Sequence, residues 1–155
     1  MSKILNINID DGRVPIQING DKDRVIYLNP SDLNMPSRYD EAAKNIDKYI
    51  QQYSEAEIKD TEKAVEAIYE ADKYIKGQIN YIFDADVCAV LYADASCLSI
   101  SHTTGYPIFA SFLNAIGPII EDTFKQDNVK LKKVLESPNV KKYTEKYNRH
   151  PALKK

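Results

Sequence analysis

The chain predicts an α+β fold that is predominantly helical: a small N-terminal antiparallel β-meander packed on a long helical hairpin and a C-terminal core helix. Three observations carry that expectation. Apolar residues alternate with polar ones over the first thirty positions, recur at three- and four-residue steps from 37 to 83, and crowd into one apolar stretch at 106–125. The 155 residues make one domain's worth of chain. Residues 1–126 read as a single α+β domain (meander 3–28, hairpin 37–83, helices 86–92 and 106–125), and 127–155 as a basic tail.

The meander begins with Ile4, Leu5, Ile7 and Ile9 against Asn6 and Asn8, and Asp10-Asp11-Gly12 supplies a turn. A second run sets Val14, Ile16 and Ile18 against Arg13, Pro15 and Gln17. Asn19-Gly20 turns the chain into a third run, Arg24 to Leu28. Pro15 cannot donate to a ladder, which suits an edge strand. One face would carry Ile7, Ile9, Val14, Ile16, Ile18 and Ile26, and a helix must cover it.

Asn29-Pro30-Ser31-Asp32 closes the sheet with a short turn that Pro36 ends. Ser37 then reads as an N-cap for a helix carrying Tyr39, Ala42, Ala43, Ile46, Tyr49, Ile50 and Tyr53. Ser54 and Glu57 form a second capping box. The next helix runs to Phe83 with Ile58, Val65, Ile68, Ile75, Ile79 and Ile82 on one stripe, and Thr61 and Asp72 fill its missing positions. Asp84 or Asp86 caps a short helix from Val87 to Tyr92. Pro107 opens the final helix, with Ile108, Phe109, Phe112, Leu113, Ile116, Ile119, Ile120 and Phe124, which Gly117-Pro118 should bend. Val129, Leu131, Val134 and Leu135 extend the helical pattern towards Pro138.

Net charge is −2, unevenly spread. Residues 129–155 hold eight Lys and one Arg against two Glu, a net +7, which leaves −9 for the first 128. Lys141, Lys142, Tyr143, Lys146, Tyr147 and Arg149 interleave cations with aromatics as single-strand binders do. The acidic body opposes that reading, and a solvated terminus is the commoner role of such a tail. No stretch supplies the roughly 20 apolar residues of a membrane span, and the start lacks a signal peptide's apolar core. The expectation is therefore a cytoplasmic protein, with Cys88 and Cys97 as reduced thiols.

The search for chemistry finds little. Cys97 and His102 invite comparison with a Cys/His nucleophile pair, but a loop histidine packed on its own helix is the commoner arrangement. The acids of 55–70 interleave with Lys59, Lys63 and Lys73 as on a solvated helix face. Asp10-Asp11-Gly12 lacks the ordered ligands of a calcium loop, and there is no phosphate loop, dinucleotide fingerprint or zinc spacing. No enzyme activity, cofactor or metal is expected.

The segment Tyr81 to Glu121 resembles a family of small tail-region, tail assembly chaperone-like proteins of siphophages and prophages of low-GC Gram-positive bacteria. The resemblance rests on Asp86-Val87, Leu91-Tyr92-Ala93, Ser96 through Ser99, Gly105, Pro107-Ile108-Phe109, Phe112-Leu113-Asn114-Ala115-Ile116 and Pro118-Ile119-Ile120. The β segment, Asn29-Pro30-Ser31-Asp32 and the charged hairpin fit it as well. Ala93 stands where the pattern has glycine, and Cys97 where it has proline. The resemblance implies a chaperone-like binder of the tape-measure protein, the long helical chain around which a phage tail tube polymerises, with self-association as a further possibility. Tyr39, Tyr49, Tyr53 and Tyr69 are the candidate contact residues, since tyrosine joins apolar area to a polar tip. Ser96, Ser99, His102 and Gly105 of the serine-rich loop form a second contact. The competing expectation is a phage-encoded inhibitor of a host defence system, binding through the acidic body.

Overall fold

The computed structural model describes residues 3–55 and 59–136. Its elements are β1 (Val14–Ile18), β2 (Asp21–Leu28), α1 (Met35–Glu55), α2 (Thr61–Phe83), α3 (Cys88–Leu91) and α4 (Ile108–Leu135). The architecture is α+β, a two-stranded antiparallel hairpin set against a helical hairpin and a long final helix.

The sheet is smaller than the expected meander. β1 and β2 pair around Asn19-Gly20, whose positive φ angles of 54° and 71° are those of a two-residue turn matched to strand twist. The first expected run, residues 3–9, joins no strand. Carboxylates take the donors at its turn instead: Gly12 N–H donates to Asp10 Oδ1 at 2.8 Å and Arg13 N–H to Asp11 Oδ1 at 3.0 Å. Such local bonds compete with a ladder. Ile7 and Ile9 consequently leave the expected apolar face, while Ile26 and Leu28 of β2 are buried.

The helix starts also differ from the capping boxes read in the sequence. Pro36 does not end a turn; it sits in the first turn of α1, where its missing N–H costs nothing. Ser37 is therefore inside the helix. Ser54 is likewise inside α1, and Glu57 lies outside the described residues. The cap of α2 is Asp60, whose carboxylate accepts the Glu62 N–H at 3.1 Å. Asp84, with φ 51°, ends α2 in the left-handed conformation, and Asp86 accepts the Ala89 N–H of α3 at 3.3 Å.

The core gathers β2, the start of α1, the second half of α2, α3 and the first half of α4. Leu28, Met35, Ile46, Ile75, Ile79, Ile82, Ile116 and Cys97 are its fully buried members, and each large aliphatic among them contributes about 2 kcal/mol by leaving water. α1 and α2 pack as the expected antiparallel pair, with Tyr49 stacked on Tyr74 at 4.4 Å and Asn45 bonded to Gln78. α4 runs on through Pro118 to Leu135, beyond the expected helix end at 125; 137–155 lie outside the described residues. Gly117 makes room for the Tyr39 ring, since a Cβ there would come within 2.6 Å of Tyr39 Oη. That hydroxyl donates to the Leu113 carbonyl at 2.9 Å, beside the Asn114 carbonyl that Pro118 cannot serve.

Candidate interaction surface

The stripe on α2 divides into a covered and an open half. Val65, Ile68, Asp72, Ile75, Ile79 and Ile82 lie along one helix face by their spacing. The last three are fully buried, whereas Val65 is 61% and Ile68 46% exposed. Tyr69, one turn from Val65, is 64% exposed. An aliphatic strip flanked by an exposed tyrosine therefore runs from the start of α2 to Asp72.

Asp72 is the switch between the halves. Its Oδ1 accepts the Cys97 N–H at 2.7 Å and the Ser96 hydroxyl at 3.2 Å. Its Oδ2 pairs with Lys76 at 3.1 Å, and Lys76 Nζ also donates to the Ala95 carbonyl at 2.8 Å. Burial pushes the Asp72 carboxyl up, but the Cys97 N–H and thiol and Lys76 outweigh it, and the net shift is downward. One carboxylate thus docks the start of the serine-rich loop where the open strip ends. Ser96 also accepts the Leu98 N–H at 3.2 Å.

The remainder of the loop is held by backbone bonds together with the Ser101 and Thr104 hydroxyls, which accept the Thr103, Thr104 and Tyr106 N–H groups. An Ile100–Pro107 bridge closes it, Ser101 N–H donates to the Tyr106 carbonyl at 2.8 Å, and Gly105, at φ +75°, donates to the Ser101 carbonyl at 2.8 Å. The Ser99 and Cys97 carbonyls accept the Ile108 and Phe109 N–H groups that open α4. His102 is at the exposed tip, and Ile100 and Tyr106 are more than half exposed. Ala93, where the resemblance has glycine, holds φ at +50°, the left-handed region that glycine occupies without strain.

The structure distributes the sequence candidates between two roles. Tyr39 and Tyr49 are engaged inside the fold, at Leu113 and Tyr74. Tyr53 is half-buried near the end of α1, and Tyr69 faces solvent. Ser96 anchors the loop, Ser99 receives α4, Gly105 shapes the tip, and His102 is exposed there. Val65 and Ile68 were missed as surface residues, because their spacing is that of a core seam. The signal was Asp72, a charge in the middle of that seam.

No family model, curated protein or solved structure matches the chain.

The thiols do not assemble a Cys/His pair. Cys97 is fully buried with its Sγ directed to the Asp72 carbonyl at 3.8 Å, and Cys88 Sγ reaches the Lys76 carbonyl at 3.4 Å. Burial pushes the Cys88 thiol up to about 12 and raises Cys97 as well. A nucleophilic thiolate needs the opposite. Both thiols are expected to resist an alkylating reagent in the native protein by at least about a thousandfold relative to the unfolded chain. Rapid labelling of Cys97 at neutral pH would contradict this burial. Among the described residues no cluster of His, Cys, Asp and Glu could hold a metal, and no helix is long and apolar enough to cross a membrane.

Proposed function

We propose that this protein is a non-enzymatic, chaperone-like binder of an amphipathic helical chain, acting in the host bacterial cytoplasm on the tape-measure protein of a phage tail. The observation that carries the reading is the half-open stripe of α2. Val65 and Ile68 continue the register of Ile75, Ile79 and Ile82 yet remain in solvent. A partner helix laid along them would complete the seam in the helix-in-groove mode, with aliphatic anchors at three- and four-residue steps. Tyr69 flanks the strip, and the loop residues Ile100 and Tyr106 add exposed apolar area on a second element. A tape-measure chain has long apolar helical stripes that need cover before the tube forms, and the resemblance of Tyr81–Glu121 points to that partner.

The test is co-expression with the tape-measure protein of the source genome, followed by affinity purification. The wild type is expected to yield a soluble complex. The double variant Val65→Asp, Ile68→Asp should lose it while keeping its melting temperature within a few degrees, since neither side chain is buried and surface substitutions cost about 0.5 kcal/mol or less. A complex that survives this variant unchanged removes the strip from the interface. A tape-measure protein that stays insoluble beside the wild type removes the chaperone reading, and the acidic body's binding to host effectors is then the reading to test.

A further inference from the structure

We propose that the basic C-terminal tail, residues 137–155, lies along the open half of the α2 stripe in the free protein and leaves it when a partner helix arrives. As regulation of that site the proposal rests on the reading above; the contact itself involves this chain alone.

The receiving face is apolar and acidic together. Val65, Ile68 and Tyr69 are exposed, and Glu62, Glu66 and Glu70 stand beside them four residues apart, exposed as well. Thr61 to Glu70 holds those three glutamates against one cation, Lys63. Like charges at four-residue spacing repel along a helix, and none of the three forms an ion pair among the described residues. A row of acids beside a solvent-facing aliphatic strip fits an occupant that brings apolar side chains and cations together.

The tail has that composition. It holds five Lys and one Arg against Glu145 alone. The first 128 residues carry a net charge of −9, so the cations that complement the face are concentrated at this end of the chain. Val140, Tyr143 and Tyr147 follow at steps of three and four, the steps that separate Val65, Ile68 and Asp72. Lys141, Lys142 and Lys146 interleave with them, as the glutamates do with the strip on α2. The tail leaves the body after α4, at Glu136. Nineteen extended residues span about 60 Å, more than the length of either α4 or α2, so the tether does not keep the tail from the strip. Tethering also supplies a local concentration in the millimolar range. A contact with an intrinsic Kd of about 0.1 mM is then about nine-tenths occupied.

The test uses the full chain with labelled Val and Ile methyl groups, read by NMR. Salt at about 0.5 M screens the ion pairs and should displace the Val65 and Ile68 methyl signals as the rings of Tyr143 and Tyr147 withdraw. The displacement should vanish in the tail variant Lys141→Glu, Lys142→Glu, Lys146→Glu and in the helix variant Glu62→Lys, Glu66→Lys, Glu70→Lys. Combining the two sets of reversals should restore it. Wild-type signals that ignore salt and coincide with those of the tail variant overturn the contact. A displacement that grows with protein concentration places the tail on a neighbouring molecule and overturns it too. The tail variant should also bind the partner helix about tenfold more tightly than wild type, because no occupant has to leave first. Equal affinities overturn the regulation. A partner bound by neither protein ends the reading above and the regulation with it, while the methyl signals still decide the contact.

Discussion

Arg38→Ala is expected to destabilise the protein by about 3–4 kcal/mol, the cost of leaving partners of a half-buried charge unmet. The Arg38 guanidinium ties three segments together. It donates to both oxygens of Asp32 in the β2–α1 connection, to the Tyr81 carbonyl at 2.9 Å and to the Ile82 carbonyl at 3.0 Å. The last two acceptors are carbonyls at the C-terminal end of α2, the Tyr81 one also accepting the Asp84 N–H, where a cation is favoured twice over, by hydrogen bonding and by the helix dipole. Its side chain is only 14% exposed, and that of Asp32 21%, so water replaces these bonds poorly. Arg38→Lys should recover little, because one ammonium cannot reproduce a planar fork that serves a carboxylate and two carbonyls. Thermal unfolding followed by circular dichroism checks both variants. A drop of about 10 °C is expected for alanine, and a loss under about 2 °C would mean that the fork contributes only as a surface pair does.

Asp72→Ala should cost about 2–3 kcal/mol, since it strips a charged acceptor from the Cys97 N–H, the Ser96 hydroxyl and Lys76 at once. Asp72→Asn keeps an acceptor for Cys97 but loses the ion pair, and should fall between alanine and wild type. The alanine variant should also loosen the loop selectively, raising amide exchange at Cys97 and Ser99 more than in the α1–α2 pair. Acid reads the same contact. The folded-state pKa of Asp72 lies below its ordinary value of 3.8, and that of Asp32 is lowered as well, chiefly by its hydrogen bond to Arg38. A depressed carboxylate contributes stability that is complete above the unfolded value and is lost as pH falls through the folded one. Wild type should therefore lose stability below about pH 4, and Asp72→Asn should show a shallower loss there. Parallel acid curves for the two proteins would exclude Asp72 as a contributor.

The helices were legible in the sequence because their determinants are local. Three- and four-residue spacing placed α1, α2 and the first half of α4 correctly, and Val129 to Leu135 marked the continuation of α4 beyond residue 125. Caps were read less well. Ser37 and Ser54 have the right chemistry for N-caps, but Pro36 starts α1 one turn earlier and Asp60 serves α2. Side-chain oxygens of similar capping strength compete within a few residues, and the packing of α1 on α2 decides among them. The proline of α4 shows the same limit from the other side. Pro118 announces a bend within a continuing helix, and beside it Tyr39 fits against Gly117 and serves the Leu113 carbonyl from another helix. No pattern within α4 encodes that support.

What the sequence determined by itself is the order of elements, the helical hairpin, the faces that could be apolar and the burial of Ile75, Ile79 and Ile82. Periodicity is a property of neighbours three and four apart, and it survives without knowledge of the rest of the chain. The tertiary structure decided which parts of those faces are covered. One stripe on α2 is core beyond Asp72 and surface before it, because the 95–98 segment docks on that carboxylate across 25 residues of sequence. The same holds at the N-terminus, where Ile4 to Ile9 have a strand's pattern but no strand beside them. A residue's pattern states that it can be buried; whether it is depends on which distant segment reaches it, and that is settled only when the chain packs.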